Sequence, residues 1–326
     1  MRSETIEPAR PLGPESAGEH HDDYAKLMAR CRDLPPVATA VVHPCEQSAL
    51  EGPLLAAKEG LITPILIGPM AKIRRVAEES GLDLADHQLI DAPHSHAAAA
   101  QAVEIAGRGE VQAIMKGSLH TDELMHAVVS KTGGLRTERR ISHVFVMDVP
   151  SYPKPLLITD AAINIHPDLM VKRDICQNAI DLAHALDNPN PKVAILSAVE
   201  TINPQIPSTL DAAALCKMAE RGQISGGVLD GPLAMDNAIS LDAARIKGLH
   251  SEVAGQADIL IAPDLESGNM LAKQLSFLAH AEAAGLVLGA RLPVILTSRA
   301  DNVRARMASC AIAALYVDHR AMPIKH

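Results

Sequence analysis

The sequence predicts an α/β fold built on mainly parallel sheets. Short β-branched runs alternate with longer, alanine-rich amphipathic stretches from Pro36 onward, which is the pattern of a parallel sheet covered by helices. Six of the strand-sized runs are followed at once by a polar cluster, where open α/β sheets bind ligands beside free helix N-termini. The chain has 326 residues and is 48% hydrophobic, enough for a large core and two domains.

Along the chain, residues 1–25 are polar and proline-rich and read as a mobile tail. Strands are expected at Val37–Val42, Pro64–Ile67 and Val111–Met115, the last leading into Lys116-Gly117-Ser118. His143–Met147 and Leu156–Thr159 come next, with Asp160 and Asn164 after the second. Lys192–Leu196 precedes Ser197 and Glu200, Gly227–Leu229 precedes Asp230-Gly231, and Asp258–Ile261 precedes Asp264 and Asn269. Pro293–Leu296 closes the series and runs into Ser298-Arg299. Helices are expected to fill most of the intervals. The proline-bearing stretch Val149–Pro155 breaks the pattern and marks a crossover. The expected division is 26–152 plus 296–326 for one α/β domain and 153–295 for the other. The clusters are expected on one edge of the sheet, forming one cleft.

Composition excludes several classes of function. The longest apolar runs are strand-sized, well short of the roughly 20 residues that span a bilayer. A net charge of -9 opposes binding to nucleic acid, and two Phe with three Tyr leave little for base stacking. The cysteines, Cys31, Cys45, Cys176, Cys216 and Cys310, form no C-x-x-C pair, so a reducing cytoplasm is expected.

Two turns carry the chemistry. Pro293-Val-Ile-Leu-Thr-Ser-Arg-Ala-Asp301 passes from a buried strand into an alanine-rich helix, and Ser298 or Asp301 is placed to cap the first turn. A guanidinium at Arg299 suits a phosphoryl or carboxylate oxygen. On spacing alone, Ser298 serves equally as a cap and Arg299 as a surface ion-pair partner. The turn Met115-Lys-Gly-Ser-Leu-His-Thr121 has a glycine that allows close backbone approach to a ligand. It is not a Walker A loop, and His120 reads as a helix-start residue. A glycine-hinged basic patch, Thr132-Gly-Gly-Leu-Arg136-Thr-Glu-Arg139-Arg140, lies between them in the chain. Asp160, Asp230, Asp236 and Asp264 match no metal motif, so no metal is assigned.

In this order and spacing, six segments resemble the phosphate acetyl/butyryl transferase family. They are Lys116-Gly-Ser-Leu-His-Thr121, Gly134-Leu-Arg-Thr137 with Ser142-His143-Val144, Ile158-Thr-Asp-Ala-Ala-Ile-Asn164, Leu229-Asp-Gly-Pro-Leu-Ala-Met-Asp236, Pro263-Asp-Leu-Glu-Ser-Gly-Asn269 with Lys273, and Thr297-Ser-Arg-Ala-Asp301. The resemblance implies two α/β domains with an interdomain cleft, isocitrate/isopropylmalate dehydrogenase-like, and a homodimer. It implies reversible transfer of a short acyl group between coenzyme A and inorganic phosphate, with CoA as a substrate and no tightly bound cofactor. By position, Ser298 and Arg299 resemble the family's catalytic serine and substrate-binding arginine, and Arg136 or Arg139 its second phosphate-binding arginine. Asp301 joins the catalytic candidates. Lys116, Gly117, Ser118, His120, Thr121, Asp160, Asn164, Asp230, Asp236, Asn269 and Lys273 are the remaining substrate-binding candidates on the matching segments.

The chain departs from the acetyl branch at Ala305, where an aspartate usually stands, at Ala161 in place of cysteine, and at Met125 in place of an arginine. Two rival readings remain at this level. One is a metal- and NAD-dependent decarboxylating dehydrogenase using Asp230, Asp236 and Asp264. The other is an inactive CoA- or acyl phosphate-binding homologue.

Overall fold

The structure is a computed structural model, and it describes residues 23–131, 133–297 and 301–322. Along the chain run α1 (Asp23–Cys31), β1 (Val37–Val42), α2 (Gln47–Lys58), β2 (Ile62–Gly68), α3 (Met70–Ser80), β3 (Gln88–Asp91), α4 (Ser95–Gly107), β4 (Ala113–Lys116) and α5 (Thr121–Val128). β5 (Ser142–Asp148), β6 (Leu156–Thr159), α6 (Leu169–Ala185), β7 (Lys192–Leu196), α7 (Pro207–Glu220), β8 (Val228–Leu233), α8 (Met235–Ile239) and α9 (Leu241–Ile246) follow. The chain ends through β9 (Ile259–Ile261), α10 (Leu265–Leu278), β10 (Glu282–Leu288), β11 (Val294–Ile295) and α11 (Val303–Ala321).

Among the described residues, all eleven strands form one sheet in the order β3-β2-β1-β4-β11-β10-β5-β6-β9-β7-β8. Burial sets its layers because alternate strand residues point to opposite faces. On β1, Val37 and Val41 join the apolar cluster that takes in α1, α2, α3, α6, α7 and α11. Ala40 and Val42 join the layer under α4 and α5 on the other face. Farther along, Ile259 and Ile261 of β9 continue the first cluster, while Leu260 belongs to a third, under α8, α9 and α10. One face therefore carries a continuous apolar layer and the other carries two.

The α/β architecture agrees with the sequence pattern, but the single edge does not. Pairs β4–β11, β6–β9, β9–β7 and β7–β8 are parallel, whereas β11–β10, β10–β5 and β5–β6 are antiparallel. An odd number of reversals lies between β4 and β6, so these strands run in opposite directions. The Lys116 and Asp160 turns consequently leave the sheet toward opposite edges.

Helix starts follow local chemistry. His94, Asp168, Ser240, Asp264 and Asn302 each accept a backbone N–H three residues on, satisfying a donor the helix leaves unpaired. Asn302 corrects the expected cap of the last helix: its Oδ1 takes the Ala305 N–H at 2.8 Å. α11 begins at Val303, beyond both Ser298 and Asp301.

Candidate active site

A cavity of about 1010 Å³ opens between α5, the segment from Leu135 to Ile141, the 162–164 turn and the start of α6. Of the sequence-predicted residues, Thr121, Arg136, Arg139 and Asn164 line it. Met125, where the resemblance leads one to expect an arginine, also lines it, from within α5.

Its electrostatics are uneven. Asp168 is spent capping α6, accepting from Val171 N at 2.9 Å. Asp174 accepts from Arg140 N at 2.8 Å and from Arg173 Nη2 at 2.6 Å. Arg139 is tied to Asp181 of α6 and reaches Asn178 Oδ1 at 3.4 Å. Among the described residues, no ion pair or hydrogen bond engages the guanidinium of Arg136 or of Arg140. These two exposed cations face the cavity, and sequence reasoning placed Arg140 in the basic patch without singling it out.

The Lys-Gly-Ser turn has a different character from the one its glycine suggested. Gly117 N donates to Val42 O at 2.9 Å, and Ser118 Oγ donates to His43 O at 2.8 Å while accepting from Cys45 N at 2.9 Å. A Cβ on Gly117 would meet Val42 O at 2.4 Å, so the close approach is to β1's own turn, not to a ligand. Lys116 is buried, and its Nζ lies 3.4 Å from both Gly117 O and Thr297 O. His120 is the exposed residue before α5 and its side chain makes no cap.

Ser298 and Arg299 lie outside the described residues. Thr297, just before them, is buried beside Lys116, and its Oγ1 accepts from Arg306 Nη1 at 2.9 Å. Asp301 is half-buried and adds charge near Arg306. Burial is the main influence on the Arg306 guanidinium and pushes its pKa down.

The other candidates do not converge on the cavity. Asp230 sits in β8 at the far edge of the sheet, and its Oδ1 accepts from Gly231 N at 2.8 Å. Asp236 is exposed in α8, where its Oδ1 accepts from Asn237 N at 2.9 Å. Lys273 is exposed on α10, and Asn269 donates to Ala161 O at 3.0 Å. Asp160 is buried behind the cavity wall with both oxygens occupied by protein donors, so it is closed to a ligand. Asp264 caps α10 through Ser267 N at 2.8 Å. Among the described residues, no group of three or more His, Cys, Asp or Glu side chains gathers as a metal would need.

Beside Asp160 lies His143, fully buried on β5, to which the sequence alone assigns no role. Burial pushes its pKa down to about 4, with the Asp160 carboxylate opposing. The ring packs edge-on against Phe145 at 4.3 Å.

Known proteins resemble this chain over most of its length. The sequence pattern of the family described as "Phosphate acetyl/butaryl transferase" matches residues 94–314. A phosphate acetyltransferase of Rhizobium meliloti is 64% identical over 297 residues, covering 91% of this chain and 94% of that protein. A phosphate butyryltransferase of Clostridium acetobutylicum is 41% identical over 294 residues, covering 90% and 97%. The crystal structure of a branched-chain phosphotransacylase from Enterococcus faecalis V583 superposes with a TM-score of 0.75 at 29% identity, covering 86% of this chain and 99% of that one. Sequence pattern, identity over about nine-tenths of the chain and fold agree: the chain belongs to the phosphate acetyl/butaryl transferase family.

Proposed function

We propose that this enzyme transfers a short acyl group reversibly between coenzyme A and inorganic phosphate, acyl-CoA plus phosphate giving acyl phosphate plus CoA, and that the cavity beside α5 holds a phosphate-bearing part of its substrates. The observation that carries the placement is the pair of unengaged guanidiniums, Arg136 and Arg140, on a cavity large enough for a phosphate-bearing substrate. CoA and acyl phosphate both bring phosphoryl oxygens, which a planar guanidinium binds through paired hydrogen bonds. Arg136 is the better match for the second phosphate-binding arginine, because Arg139 is engaged by Asp181.

In the direction of acyl-CoA synthesis, the thiol of CoA loses its proton and sulfur attacks the acyl carbonyl carbon. The tetrahedral adduct collapses, the carbon–oxygen bond to phosphate breaks, and phosphate leaves with the electron pair. A thiol of pKa about 8.5 is a few per cent ionised at pH 7, so lowering that pKa contributes at most about 2 kcal/mol. Stabilising the oxyanion and the departing phosphate contributes more, since one lost donor at such a site costs about 3 to 4 kcal/mol. Ser298 polarises the carbonyl, Arg299 binds the leaving phosphate, and Asp301 orients Arg299 or takes the thiol proton. The enzyme works as a homodimer in the cytoplasm.

Arsenate-dependent loss of acetyl-CoA and butyryl-CoA, followed side by side, tests the reaction and reads the acyl preference. Arg299→Ala is expected to lower turnover at least a hundredfold with the fold intact. Near-normal turnover would remove Arg299 from the chemistry, and absence of arsenolysis in the unaltered enzyme would remove the reaction itself.

A further inference from the structure

Asp160 is 2% exposed, and its carboxylate is saturated from within the chain. Oδ1 accepts from the N–H groups of His143 at 3.3 Å, Ala162 at 3.0 Å and Ile163 at 3.1 Å. Oδ2 accepts from Asn164 N at 3.0 Å and Asn164 Nδ2 at 2.6 Å. A carboxylate offers about four lone-pair positions, so these donors leave none for a substrate. The turn they belong to is also held from outside. Asn269 Nδ2 donates to Ala161 O at 3.0 Å, Asn164 Nδ2 to Ile141 O at 2.8 Å, and Leu265 N to Ile165 O at 3.1 Å. α10 comes this close because of Gly268, where a Cβ would stand 2.5 Å from Asp160 O. On its opposite side the same turn presents Ala162, Ile163 and Asn164 to the cavity.

We propose that Asp160, together with Asn164 and Asn269, positions the 161–164 turn as a wall of the substrate-binding cavity and does not itself touch substrate. The inference rests on the acyl-transfer reading above. An asparagine at position 160 would turn an NH2 group toward donors, either the Asn164 pair or the backbone N–H groups of Ala162 and Ile163. The turn would then lose part of its anchor while side-chain volume stays almost unchanged.

The test compares the unaltered enzyme with Asp160→Asn, Asn164→Ala, Asn269→Ala and the Asp160→Asn/Asn164→Ala double variant. Amide exchange at residues 162–164, KM for CoA and kcat are measured for each. Expected are exchange at least tenfold faster at these amides, KM at least fivefold higher in each single variant, and kcat within threefold. The double variant should raise KM no more than twice as far as the worse single one, because both act on one turn. A KM increase confined to the Asp160 variant would overturn the proposal by making Asp160 a direct ligand. Unchanged KM in all three single variants, with exchange accelerated, would overturn it by removing the turn from binding. Should Asp160→Asn fail to fold, the two asparagine variants decide alone. An inactive unaltered enzyme defeats the acyl-transfer reading, whereas an active one whose variants keep their KM defeats only this inference.

Discussion

Lys116 Nζ lies 3.4 Å from the carbonyl oxygen of Thr297, so the ends of the neighbouring strands β4 and β11 are joined directly before Ser298. Thr297 is held from its other side by Arg306 Nη1 at 2.9 Å. The Arg306 stem fits against α2 because position 52 is glycine, where a Cβ would stand 2.9 Å from Arg306 Cδ. A hydrogen bond to a charged, buried group contributes about 1.5–3 kcal/mol. Thr297→Val keeps the shape and removes that bond. It is expected to lower unfolding free energy in urea by about 1.5–3 kcal/mol and to reduce kcat severalfold, since the proposed catalytic residue Ser298 directly follows Thr297 in the chain. Unchanged stability and turnover would show that the contact serves neither the fold nor the reaction.

The arginines at 136 and 139 should separate in kinetics. Arg136→Ala removes an unengaged cation from the cavity and is expected to raise KM for CoA or phosphate at least about tenfold, equivalent to about 1.4 kcal/mol of binding. Arg139→Ala breaks the pair with Asp181. That pair is about one-third exposed on both sides, so its loss should change stability by less than about 1 kcal/mol and leave KM within threefold. Steady-state kinetics on both variants check the assignment, and the reverse pattern would exchange the two roles.

His143 gives stability a specific pH dependence. Its folded pKa, about 4, is below the unfolded value of about 6.5, so between these values the unfolded chain binds the extra proton. The stabilising contribution is complete above about pH 6.5 and is lost as pH falls toward 4, to a maximum of about 3 kcal/mol. Urea unfolding at pH 7.5 and 4.5 should show a steeper loss in the unaltered protein than in His143→Gln, the difference being about 2 kcal/mol. Equal slopes would mean that the buried ring charges without cost.

The thiols should be inert in the folded state. Burial pushes Cys31 and Cys45 up to about 11 and Cys216 and Cys310 up to about 12, and it raises Cys176 as well. Thiolate is the reactive form, so a disulfide reagent at pH 8 is expected to titrate all five cysteines only after denaturation. Rapid reaction of a folded-state thiol accompanied by loss of activity would overturn this.

Sequence alone determined the α/β class and much of the strand set. β1, β6 and β7 occupy the stretches that β-branched runs marked out, because a buried strand must be apolar wherever it lies in the sheet. The six family segments were equally legible, since their side-chain types are local. β10 was not read as a strand: Glu282-Ala-Ala begins like a helix, and only pairing between β11 and β5 makes it extended. That strand contributes two of the three reversals between the halves of the sheet, and so sends the Lys116 and Asp160 turns to opposite edges. Local letters also cannot separate a carboxylate that binds substrate from one that binds backbone, as at Asp160. Nor can they separate Arg136 from Arg139, because the deciding partner, Asp181, is 42 residues beyond Arg139. Residue types came from the sequence; which donors each charge meets depended on long-range packing, because hydrogen bonds are made in space and not along the chain.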